Sequence, residues 1–71
     1  MIKFGEKLNT LRKQHDLTLK QLGSMLDVSD SYVGRMEKGK KIPNVAMVVK
    51  ISRLFGVTID QLVKDELELG D

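Results

Sequence analysis

The chain has 71 residues, twelve basic and ten acidic side chains, a formal net charge of +2 and no cysteine. That length allows one domain, which buries only roughly 60% of the surface its unfolded form exposes, so the core is small. Absent cysteine excludes disulfide staples, thiolate metal sites and thiol nucleophiles, and it is compatible with a reducing, intracellular home.

Hydrophobic residues at 41% and charged residues at 31% belong to a folded soluble domain rather than a disordered one. The longest apolar run, Val45-Ala46-Met47-Val48-Val49, is far short of the ~20 residues of a membrane span. Lys3, Glu6 and Lys7 exclude a signal-peptide core at the start. The charge is unevenly placed. Residues 1–55 carry eleven Lys and Arg against five acids, a balance of +6. Residues 56–71 carry Lys64 against Asp60, Asp65, Glu66, Glu68 and Asp71, a balance of −4. A basic body with an acidic end points to an anionic partner for the body.

Strand alternation is nearly missing, and the pattern predicts five short helices. The first runs from about Ile2 to His15, with Phe4, Leu8 and Leu11 on one face; Gly5 weakens its start slightly. The second runs from Leu19 to Leu26, opened by a capping box of Thr18 and Gln21. The third runs from Asp30 to about Lys38, capped by Ser29 and stopped at Gly39. The fourth runs from Val45 to Phe55, between Pro43-Asn44 and Gly56. Its expected stripe is Val45, Val48, Ser52 and Phe55, with Ile51 beside it and Met47 and Leu54 as candidates for exposure. The fifth runs from Ile59 to about Glu66, capped by Thr58 and Gln61, with Ile59, Leu62 and Val63 facing inward. Residues 1–66 then form the domain and 67–71 an acidic tail expected to fray.

Helices two and three carry the function. Each spans about eight residues, and Asp27-Val28-Ser29 joins them. Gly23 lies mid-helix, where glycine costs ~1 kcal/mol relative to alanine, which suggests a close approach by another backbone. Val33 is spaced to pack beneath that approach. Two short helices, a tight turn and a small residue at the contact describe a helix-turn-helix, whose second helix enters the DNA major groove.

The residues Leu17-Thr18, Leu22, Leu26-Asp27-Val28-Ser29, Tyr32-Val33, Arg35 to Lys40, Pro43, Ile51 and Phe55 to Leu62 then come into view together. With this spacing, residues 8–63 resemble the phage-repressor (Cro-like, or xenobiotic-response-element) helix-turn-helix family, across about three quarters of the chain. The resemblance implies a compact all-α, five-helix lambda-repressor-like domain and a dimer reading a two-fold operator. It also implies an architectural ion pair between Arg12 and Glu37. Three positions depart from the family's pattern. Leu19 stands where a glutamine that touches phosphate is usual, Gly23 where alanine is usual, and Asp27 where the turn glycine is usual.

Side chains at the start of a recognition helix reach base edges, which nominates Asp30, Ser31 and, one turn on, Arg35. Arg35 suits guanine O6 and N7, or else clamps a phosphate. Ser31 can bond a base or a phosphate. Asp30 either accepts from cytosine N4 or serves only as an acid at the helix start. Tyr32 either bonds a phosphate or packs at the base of the helix. Lys40 and Lys41 are assigned to the phosphate backbone by family position and charge, with Asn44 at the next helix start and Thr18 and Lys20 at the other end. Such contacts set affinity and register rather than sequence preference.

An enzyme is not expected. His15 is the lone histidine, and no nucleophile, phosphate loop or metal-ligand spacing accompanies it, so no catalytic residue, metal or cofactor is expected. The rival reading is an antitoxin or other protein-interaction module on the same fold, using Leu67 and Leu69 or helix four. The expected function is sequence-specific binding of double-stranded DNA by a transcriptional regulator, most simply a repressor. It would act in the cytoplasm of a bacterium or be phage-encoded, and would form a homodimer through helices four and five and the tail.

Overall fold

The computed structural model describes residues 1–70. The helices are α1 (Phe4–Gln14), α2 (Leu19–Leu26), α3 (Asp30–Glu37), α4 (Val45–Phe55) and α5 (Ile59–Val63), with no strand among the described residues. One core unites them: Phe4, Leu8 and Leu11 of α1, Leu22 and Leu26 of α2, Val33 and Met36 of α3, Met47, Val48 and Ile51 of α4, and Leu62 of α5.

The helix ends follow their capping chemistry. The Thr18 and Thr58 hydroxyls accept the Gln21 and Gln61 amides at 3.0 and 2.9 Å, and each glutamine side chain returns a bond to its threonine N–H. Asp27 and Gly56 adopt left-handed backbone at φ +61° and +68°, closing α2 and α4. α1 has no side-chain cap of its own. Instead the Asp65 carboxylate, from the far end of the chain, accepts the Lys3 and Ile2 amides at 2.8 and 3.0 Å. Those bonds hold its carboxyl below the ordinary range, the Lys3 amide contributing most.

Gly5 has a role that its position in the sequence does not announce. A Cβ there would lie 2.7 Å from the Met36 carbonyl oxygen and closer still to that of Glu37. α1 therefore crosses the end of α3 at backbone contact, which only glycine permits. Gly23 does the same within the helix-turn-helix, where a Cβ would stand 2.7 Å from the Val28 carbonyl oxygen.

The structure corrects the sequence reading in the last third. α4 buries Met47, Val48 and Ile51, while Val45 is 79% exposed and Leu54 is half-buried against the core. The inward arc is centred one position away from the expected stripe because α4 packs against both α2 and α5. α5 ends at Val63, three residues before the expected Glu66. There the buried Lys7 ammonium donates to the carbonyls of Gln61, Lys64 and Leu67 at 2.5, 2.8 and 2.7 Å, turning the chain out of the helix. Ile59, expected inside, is 44% exposed at the first turn of α5. Residues 67–70 were expected to fray, but Leu67 is held by Lys7 and Leu69 packs against the core. Asp71, the end of that tail, lies outside the described residues.

Candidate nucleic-acid interface

α3 is presented by two anchors. At its start the Ser29 hydroxyl accepts the Tyr32 amide at 3.1 Å, and Val33 is fully buried beneath the α2–α3 turn. At its end Glu37 is gripped from α1. Arg12 Nε donates to Oε2 at 2.7 Å and Arg12 Nη2 to Oε1 at 3.1 Å, while Asn9 Nδ2 donates to Oε1 at 2.8 Å. Arg12 Nη1 also donates to the Leu17 carbonyl at 2.9 Å, so one guanidinium ties α1, the start of α2 and the end of α3. The hydrogen bonds to Glu37 raise the Arg12 pKa further above its ordinary value, so the guanidinium stays charged.

With both ends held, the outward face of α3 is rigid and polar. Asp30, Ser31, Gly34, Arg35, Lys38 and Lys40 line one shallow depression together with Leu19 from α2. Asp30, Ser31 and Arg35 are exposed, and among the described residues Arg35 has no ion-pair partner. Its planar fork is thus available to a ligand. Asp30 is partly engaged, since its Oδ1 accepts the Ser31 amide at 2.8 Å.

Lys40 enters this depression directly. The backbone after α3 folds back so that the Lys40 and Lys41 amides donate to the Arg35 carbonyl at 2.9 and 3.2 Å. Lys41 turns the other way, its ammonium 5.7 Å from the centre of the half-buried Tyr32 ring. Asn44 caps α4 through Oδ1, which accepts the Met47 amide at 2.8 Å, leaving its NH2 outward. Thr18 and Lys20 are exposed at the first turn of α2, beside Leu19.

Sequence reasoning passed over Asn9 and gave Leu19 no place in the surface. Asn9 completes the Glu37 site, and nothing in its surroundings along the chain marks it. Lys38, which the sequence groups with Lys40 and Lys41 after the third helix, shares the depression with Arg35. Leu19, which stands where the family's pattern has glutamine, forms part of the surface.

This arrangement of a short helix, a turn and a second helix with an open cationic face has counterparts. A helix-turn-helix family model, HTH_3, matches residues 8–62. The chain belongs to the HTH_3 helix-turn-helix family. Within that family it is similar to the transcriptional activator BcrR of Enterococcus faecalis, 42% identical over 65 residues that cover 92% of this chain and 32% of that protein. It is also 34% identical over 65 residues to the control protein C.MunI of a Mycoplasma species, covering 90% of this chain and 88% of that protein. Among solved structures, the P22 c2 repressor in complex with a synthetic operator superposes with a TM-score of 0.82 at 25% identity, covering 89% of this chain and 96% of that one. The architecture is therefore lambda-repressor-like. The chain spans about a third of the length of BcrR and most of that of C.MunI.

Proposed function

We propose that this helix-turn-helix domain binds double-stranded DNA sequence-specifically and acts as a transcriptional regulator, with repression by operator occupancy as its mode. The observation that carries this reading is the position of Arg35, exposed and without an ion-pair partner among the described residues, on a helix pinned at both ends, with Lys38 and Lys40 beside it. In this reading α3 lies in the major groove. Arg35 donates to a guanine edge, Ser31 and Asp30 approach neighbouring base edges, and Thr18, Lys20, Tyr32, Lys40, Lys41 and Asn44 hold the flanking phosphates. BcrR is named as an activator and the P22 c2 protein as a repressor, so the family supports regulation of either sign.

The reading includes a homodimer. Its support is an apolar surface on the side of α4 and α5, where Val45 and Ile59 are exposed around a depression shared with Met1, Pro43 and Val63. Leu67 of the tail is also exposed, beside a separate depression along α1. A dimer reading a two-fold operator would set its α3 helices on half-sites about 34 Å apart. No described helix is long and apolar enough to cross a membrane, and the reading places the domain with DNA in the cytoplasm.

Selection from a random-sequence DNA pool tests this function. One enriched two-fold motif, with sedimentation showing two chains per duplex, is the expected result. Weak retention with no enriched motif would overturn it in favour of a protein-binding role for the same fold.

A further inference from the structure

The departure at Leu19 has a structural counterpart at Gly34. Leu19 is the first residue of α2, half-buried, and it leans on α3: a Cβ built on Gly34 would stand 3.8 Å from Leu19 Cδ1. The depression of about 350 Å³ on the reading face is otherwise lined by polar or charged side chains. Leu19 is thus an apolar spot among Asp30, Ser31, Arg35 and Lys40, and Gly34 leaves it uncovered.

We propose that Leu19, opened to the groove by Gly34, reads a thymine methyl group. This rests on the reading of α3 as the helix that enters the major groove. The chemistry of the groove then selects the partner. Base edges there present hydrogen-bond donors and acceptors, and the thymine C5-methyl is the one apolar group among them. A leucine pressed against any other edge would strip water from a donor or acceptor and return no bond. Against the methyl it buries apolar surface on both partners and leaves nothing unpaired. A side chain at position 34 would stand in ordinary contact with Leu19 and come between it and the base, so the glycine keeps the contact open.

Leu19 and Arg35 then divide the labour of recognition on this face. Arg35 discriminates by hydrogen bonding and Leu19 by shape and hydrophobicity, from one shared depression.

The test uses the full chain and an operator taken from the random-pool selection. Each thymine is replaced singly by deoxyuridine, which pairs identically and lacks only the methyl. Equilibrium affinity is measured for the native chain, Leu19→Ala and Leu19→Gln, each checked by circular dichroism. Loss of about fourfold is expected at one thymine of each half-site, the equivalent of one buried methyl group. Both variants are expected to bind the thymine and deoxyuridine operators equally at that position. Affinity unchanged by every deoxyuridine substitution, or a penalty that persists undiminished in Leu19→Ala, would overturn the methyl assignment while leaving DNA reading intact. Failure of any operator to emerge would overturn the DNA reading and the assignment with it.

Discussion

Replacing Arg12 by alanine tests what holds the reading helix in place. The Arg12 and Glu37 side chains are 14% and 8% exposed, so the pair is largely out of water. Arg12→Ala removes two hydrogen bonds to Glu37 and one to the Leu17 carbonyl. Glu37 then keeps only the Asn9 amide, and its charge remains in a poorly hydrated site. Breaking a buried pair from one side costs about 3–5 kcal/mol, and the residual exposure places this one near 3 kcal/mol. A 71-residue domain has roughly 4–10 kcal/mol in total, so the variant loses a large part of its stability. The melting temperature is expected to fall by about 12 °C or more. Urea denaturation followed by circular dichroism measures the difference directly. The double variant Arg12→Met, Glu37→Met is expected to recover most of the loss, because no charge is stranded. A loss below about 1 kcal/mol in Arg12→Ala would place the pair with surface ion pairs and refute its role as the clamp of α3.

Gly5→Ala gains about 1 kcal/mol of helix propensity but drives a methyl group into the carbonyls of Met36 and Glu37. Overpacking against backbone sits at the top of the usual range of about 1–3 kcal/mol, so a net loss of about 2 kcal/mol is expected in the denaturation midpoint. Lys7→Met removes the donor to the Gln61, Lys64 and Leu67 carbonyls, of which that of Lys64 keeps the Leu67 amide, and is expected to cost about 2 kcal/mol, with faster amide hydrogen exchange confined to residues after Val63. Asp65 supports stability that is complete above the ordinary carboxylate pKa near 4 and is lost as pH falls through its lowered value. Asp65→Asn is therefore expected to match the native chain more closely at pH 2 than at pH 6 in urea midpoints; a gap that widens on acidification would contradict the clasp.

The helix-turn-helix was legible because its signals are local. Thr18, Gln21, Ser29 and Gly39 act within a few residues of themselves, and the α2 boundaries follow directly. Gly23 could be read as a close approach because the partner backbone, Val28, lies only five residues on. What stayed hidden depends on residues far along the chain. α5 stops where Lys7, 54 residues before Gln61, takes the Gln61 carbonyl and those of Lys64 and Leu67 beyond it. Gly5 meets the end of α3, and Asp65, 62 residues beyond Lys3, holds the Ile2 and Lys3 amides just ahead of α1. The buried arc of α4 is set by what packs on it, and Val48 and Ile51 fit a stripe beginning at Val45 as well as one beginning at Met47. On the reading face the charged residues stood out in the sequence. The place of half-buried Leu19 among them did not, because Leu19 comes from α2 and meets this face beside Gly34 of α3.

The central claim is that α3 reads bases while the lysines beside it hold phosphates. Binding of the selected operator and its single-base variants across a salt series, for the native chain, Arg35→Ala and Lys40→Ala, tests it most directly. Arg35→Ala is expected to cost about 1–3 kcal/mol and to erase preference at one base pair. Lys40→Ala is expected to weaken all sequences alike and to reduce the salt slope by about one. If both variants instead lower the affinity for every sequence equally, Arg35 does not read a base, and the account of this face is wrong.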